Sequence, residues 1–105
     1  MAELEQGAAR SASAELIAAG KRFYVPVYRP RDVVLDHGRG SRVWDRDGRE
    51  YVDFGAGIAV NALGHAAPEL VAALTAQAGK LWHTSNVFWS EPPLRLAQAL
   101  VEASG

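Results

Sequence analysis

Arg42-Val43-Trp44, then Arg46-Asp47-Gly48, then Tyr51-Val52-Asp53-Phe54 is the stretch whose reading decides the fold. The two outer runs are rich in β-branched and aromatic residues, which fit a pleated, half-buried surface. Between them Asp47-Gly48 supplies the positive φ that a tight hairpin needs. Moving toward the N-terminus, Val33-Val34-Leu35 reads as one more short strand, set apart by Gly38 and Gly40. The three runs together predict a three-stranded antiparallel meander. Further back, Tyr28 to Asp32 holds Pro30 and several charges and reads as an extended connector. Leu16, Ile17, Gly20 and Phe23 fall at helical spacing, predicting a helix over Ser13 to Phe23 that Pro26 must end. Residues 1–12 are small and polar and read as a flexible N-terminus.

Moving toward the C-terminus, Gly55 to His65 is small, nearly uncharged and flexible, and something is expected to lie against it. Pro68 opens a helix with a buried stripe of Leu70, Ala73, Leu74 and Ala78, which Gly79 stops. Trp82, Phe88 and Trp89 are read as an aromatic frame around His83-Thr84-Ser85-Asn86. Ser90 then caps a last helix, with Pro92 and Pro93 in its first turn, Leu96, Ala97, Leu100 and Val101 on its apolar face, and Gly105 as its stop.

Composition bounds the chemistry. The chain has 105 residues, 12 acidic against 11 Lys+Arg, a net charge of −1 and 49% hydrophobic residues. That length permits one domain at most, with a small core. Balanced charge gives no field for nucleic acid or an anionic membrane surface. No apolar run is long enough to span a bilayer. Without cysteine there are no disulfides and no sulfur-ligated metal sites. The start, Met-Ala-Glu-Leu-Glu-Gln, lacks the cationic and apolar regions of a signal peptide, so a cytoplasmic address is expected.

Several motifs fail on inspection. Gly38-Arg39-Gly40 and Gly55-Ala56-Gly57 each begin a dinucleotide fingerprint, but Val43 and Val60 stand where its last glycine belongs. Asp45-x-Asp47-Gly48 lacks the remaining ligands of a calcium loop and reads as a turn. His37, His65 and His83 have no helical i, i+4 pairing and read as structural. Lys21 and Lys80 sit at helix ends, where a cation complements the helix dipole.

Gly40-Ser41-Arg42-Val43-Trp44-Asp45, Gly48-Arg49-Glu50-Tyr51-Val52-Asp53-Phe54, Gly57-Ile58-Ala59-Val60-Asn61-Ala62-Leu63-Gly64-His65 and Leu81-Trp82-His83-Thr84-Ser85-Asn86, in that order and spacing, resemble the class III aminotransferases. The resemblance runs from about Phe23 to the last residue and is nearest the acylornithine-using members. It implies an α/β fold: the N-terminal segment of a fold type I pyridoxal-phosphate-dependent transferase. Residues 13–105 would then be the N-terminal part of the small domain and the lead into the large domain.

The implied activity moves an amino group between N-acetylornithine, or N-succinylornithine, and 2-oxoglutarate in arginine metabolism. The implied assembly is a homodimer holding pyridoxal phosphate. By resemblance Tyr28, Gly57 and Ile58 line the substrate pocket, with Gly55 a further close-approach position. Ser85 and Asn86 belong to a loop that approaches the neighbouring subunit's active site. An apolar Ile58 suits an acylated side chain better than a free ammonium, whose unpaired burial is costly. The family's Gly-His-x-His-Pro is Gly64-His65-Ala66-Ala67-Pro68 here, so the second histidine's role is lost. The family's Schiff-base lysine and other cofactor ligands match no residue of this chain. No catalytic residue, turnover or stable cofactor binding is therefore expected of it alone. The alternative reading is a non-catalytic interaction module, or a truncated product, that pairs with a full-length subunit.

Overall fold

The computed structural model describes residues 11–105, so the expectation for residues 1–10 lies outside the described residues. The chain divides into two units with the boundary after Ala67. In the first unit, α1 (Ala12–Phe23) begins at Ser11, whose extended backbone and side-chain oxygen cap the Ala14 amide at 3.2 Å. Glu15 in its first turn and Lys21 and Arg22 in its last complement the helix dipole. Tyr24 leaves in an extended conformation, two residues before Pro26. The inward line is Ser13, Ile17 and Gly20. Leu16 and Phe23, expected on the apolar stripe, are exposed instead, because the side facing the sheet's turn starts at Ser13, whose amide lies 3.5 Å from the Asp47 carboxylate.

The sheet is the expected antiparallel meander, ordered β1 (Leu35–Arg39), β2 (Arg42–Asp45), β3 (Glu50–Val52). The first strand lies later than the sequence suggests. Val33 and Val34 stand outside it, and Gly38, read as a separator, is a strand residue opposite Val43. Pairing with β2, more than local propensity, decides this register. Asp36 is bulged out between Leu35 and His37, and its carboxylate takes His37 Nδ1 at 2.9 Å and the Arg46 guanidinium at 3.1 Å. The third strand stops at Val52, short of Asp53 and Phe54, because the Asp53 side chain caps the turn that follows.

Val43, 5% exposed, is the only buried apolar side chain among the described residues. On the same strand Asp45 is 4% exposed, an unusual place for a carboxylate unless it is fully partnered. It is. One oxygen accepts the Asp47 and Arg49 amides at 2.9 and 2.8 Å, and the other accepts the Tyr51 hydroxyl at 2.7 Å. Gly48, at φ +83°, completes the turn, the three-residue hairpin form in which one residue must be left-handed. The Tyr51 hydroxyl, then the two amides and the Arg49 charge, hold the Asp45 carboxyl below the usual carboxylate range.

A carboxyl depressed in the folded state contributes stability above its unfolded pKa, and that contribution is lost as pH falls through the folded value. The hairpin amides should therefore keep their chemical-shift dispersion above about pH 4 and lose it on further acidification. Asp45→Asn, with no titrating proton, should flatten that dependence in the same NMR titration.

In the second unit, α3 (Pro68–Ala78) and α4 (Glu91–Ser104) fall where expected, and Gly105 ends α4 at φ +81°. Their apolar stripes are exposed rather than buried: Leu74 is 72% exposed, and Leu70, Leu96, Leu100 and Val101 are exposed too. The aromatic frame does not form either. Trp82 is 87% exposed, and Phe88 and Trp89 point to solvent. The Trp82 indole instead donates back to the Ala78 carbonyl at 2.8 Å, closing the end of α3. Ser90 precedes α4 without a side-chain cap, since Pro92 and Pro93 leave fewer amides to satisfy.

Candidate functional site

The segment after β3 carries the most unusual backbone in the chain. α2 (Ala56–Ala59) was expected as plain flexible loop, yet it is a single left-handed turn. Ala56, Gly57, Ile58 and Ala59 have φ of +46°, +61°, +61° and +64°. For a residue with a Cβ this conformation costs about 1–2 kcal/mol each. Three of the four have one, so surrounding bonds must hold the turn.

Those bonds begin at Asp53. Its Oδ1 accepts the Gly55 amide at 3.0 Å and the Ala56 amide at 2.9 Å, fixing the turn's first residues. Its Oδ2 meets His65 Nε2 at 2.6 Å. His65 first of all, then the Ala56 amide, holds the Asp53 carboxyl below the usual carboxylate range. Within the turn, Ala59 donates to the Gly55 carbonyl at 3.1 Å and Asn61 to the Ala56 carbonyl at 3.0 Å.

His65 ties the far end of the segment to the sheet. Its backbone exchanges two hydrogen bonds with Gly40, at 3.0 and 2.8 Å. Its ring lies against Gly38, where an added Cβ would stand 2.6 Å from the ring's Cγ. Gly64, at φ +83°, lets the two backbones meet, since a Cβ there would be 2.9 Å from Gly40 Cα. Both ends of the 55–65 segment are thus anchored, and the middle presents Ile58, 97% exposed.

Of the expected pocket residues, Gly57 and Ile58 are neighbours on this turn, and Gly55 stands at its start. Tyr28 lies at a bend before β1, directly after a turn at Pro26 and Val27 rather than in the expected extended connector, 86% exposed, with no hydrogen bond to the left-handed turn. Ser85 and Asn86 belong to the second unit, exposed in the loop between α3 and α4, with Ser85 left-handed at φ +61°. Asp53 and His65 were not among the expected site residues. Asp53-Phe54-Gly55 is a legible signal, since an aspartate two residues before a glycine commonly caps its own turn. Among the described residues no group of acids and histidines could hold a metal ion.

The family model described as aminotransferase class-III matches residues 24–105. The acetylornithine aminotransferase of Xanthomonas axonopodis pv. citri is 71% identical over 82 residues, 78% of this chain and 20% of that protein. The succinylornithine transaminase/acetylornithine aminotransferase of Pseudomonas aeruginosa is 58% identical over 83 residues, 79% of this chain and 20% of that protein. The crystal structure of N-acetylornithine aminotransferase from Stenotrophomonas maltophilia superposes with a TM-score of 0.75 at 59% identity, covering 84% of this chain and 22% of that one. The chain thus spans about a fifth of the length of the curated relatives it matches.

Proposed function

Since this chain belongs to the class-III aminotransferase family, we propose that it forms part of the substrate pocket of an acetylornithine-type aminotransferase, exchanging an amino group between an N-acylornithine and 2-oxoglutarate. The observation that carries this reading is the anchored turn presenting Ile58 to solvent, within a segment 71% identical to an acetylornithine aminotransferase. Ile58 would lie along the acylated end of the substrate, where an apolar surface tolerates an amide but not an unpaired ammonium. Tyr28 and Gly57 would line the same pocket. Residues 13–67 would belong to the small domain and residues 68–105 would lead into the large one, with Ser85 and Asn86 reaching the partner of a cytoplasmic homodimer. The unit boundary after Ala67 supports that division.

Pyridoxal phosphate, which the family uses, supplies the electron sink for amino transfer when bound. Neither lysine among the described residues would suit its attachment. Lys21 is exposed and paired with Asp32 at 3.1 Å, and Lys80 is exposed just past α3. A lysine that attaches such a group is commonly activated by desolvation. This supports an attachment point outside residues 11–105, and a role in binding and orienting for the residues described.

The reading is tested by grafting. Residues 24–105 replace the matching segment of the Xanthomonas enzyme, and the chimera is expected to transaminate N-acetylornithine. Ile58→Ala in that chimera should lower the ratio of kcat/KM for N-acetylornithine over ornithine about tenfold, the scale of a few methylenes in an apolar pocket. An unchanged ratio would remove Ile58 from the pocket.

A further inference from the structure

We propose that Asp53 and His65 are positioning residues for substrate choice: their hydrogen bond clamps the left-handed turn so that Ile58 is held against the acyl end of the substrate. The inference rests on the pocket role of Ile58 given above and extends it to two side chains that lie outside the pocket lining.

The geometry carries it in three steps. First, Ala56, Ile58 and Ala59 hold φ values that residues with a Cβ avoid, so the turn relaxes unless something outside it supplies restraint. Second, the restraint at its start is a single carboxylate oxygen, Asp53 Oδ1, shared by the Gly55 and Ala56 amides. Third, that carboxylate is itself oriented by His65 through its other oxygen, 2.6 Å away. The histidine in turn cannot swing freely. Its backbone is paired with Gly40 on both sides, and its ring fills the space that Gly38 leaves by lacking a Cβ. The sheet therefore fixes His65, His65 fixes Asp53, and Asp53 fixes the two amides that start the turn. Both side chains are half-buried, so water competes weakly for the bond. As positioning residues they are assigned no contact with substrate. They act through the placement of Ile58.

The test uses the full-length chimera, loaded with its cofactor, carrying His65→Leu, His65→Gln or Asp53→Ala. The readout is the ratio of kcat/KM for N-acetylornithine over ornithine, which is independent of how much of each preparation is active. A merely structural role lowers both rates together and leaves the ratio alone. The clamp predicts a tenfold or greater fall in the ratio for His65→Leu and Asp53→Ala. Gln places an amide N–H near the position of Nε2, so His65→Gln should keep the ratio within about threefold of the parent.

An unchanged ratio in His65→Leu and Asp53→Ala, beside a lowered ratio in Ile58→Ala, overturns the clamp while leaving the pocket reading intact. A ratio unmoved by Ile58→Ala overturns the pocket reading and the clamp with it. His65→Gln falling as far as His65→Leu overturns the clamp too, since the bond to Asp53 would not then be what matters. Should His65→Leu yield no active enzyme, Asp53→Ala and His65→Gln decide the matter by the same ratio.

Discussion

Purified alone and mixed with pyridoxal phosphate, the 105-residue chain is expected to leave gel filtration without cofactor and to transfer no amino group from N-acetylornithine to 2-oxoglutarate. Complete loss is the expected effect, because the cofactor carries the chemistry and a protein that neither attached nor tuned it would contribute little. Lys21 and Lys80 are the only lysines in the chain, and both are exposed. Lys21 is tied to Asp32, a surface pair of small energetic worth. Borohydride trapping with peptide mapping gives the sharpest measurement. A pyridoxyl adduct on Lys21 or Lys80, in a preparation that transaminates, would reverse the conclusion. The grafted chimera is the positive control, since there residues 24–105 sit in a framework that supplies the cofactor site.

The second large effect is expected from Gly64→Val. At φ +83° a valine is strained, and its Cβ would stand 2.9 Å from Gly40 Cα and 3.1 Å from the Gly40 carbonyl. Backbone cannot yield as a flexible side-chain tip can, so the Gly40–His65 bridge must open. Left-handed strain and overpacking together cost about 3 kcal/mol or more. Urea denaturation of the chimera measures it. Gly79→Ala after α3 is the contrast, since the added Cβ would meet only the Ala76 carbonyl oxygen, at an ordinary 3.9 Å, and the change should stabilise by about 0.4–1 kcal/mol. Equal effects from the two substitutions would contradict the close approach at Gly64.

The exposed stripes of α3 and α4 bear on handling the chain alone. Leu70, Leu74, Leu96 and Leu100 face solvent, and apolar surface on that scale commonly marks a contact with another protein body or a liability to aggregate. A helix as short as α3 is also marginal in water without packing.

What was legible in the sequence follows the range of the interactions. The Asp47-Gly48 turn was readable because Gly48 answers a purely local demand. The limits of α3 and α4 were readable because Pro68, Pro92, Pro93 and Gly105 act within a turn of themselves. The first strand was misplaced because Val33-Val34-Leu35 has the stronger β propensity, whereas the register with β2 and the bulge at Asp36 are decided across the sheet. The buried stripes were misassigned for a related reason: periodicity shows which face is apolar, not whether anything covers it. In the candidate site Gly57 and Ile58 came from a family resemblance. The conformation that presents them had no sequence signal, because Ala56, Ile58 and Ala59 do not ordinarily favour positive φ. The Asp53–His65 pair has no local signal because it joins residues twelve apart.

The order of the sheet has a consequence for biosynthesis. Each strand of β1-β2-β3 pairs only with its neighbour in the chain, so each hairpin can close soon after its own residues leave the ribosome. The Gly40–His65 stitch comes last, once Gly64 has emerged. A nascent chain would therefore finish the sheet early and carry the bare faces of α3 and α4 until something docks on them, which marks that interval as the one in which a chaperone has most to shield.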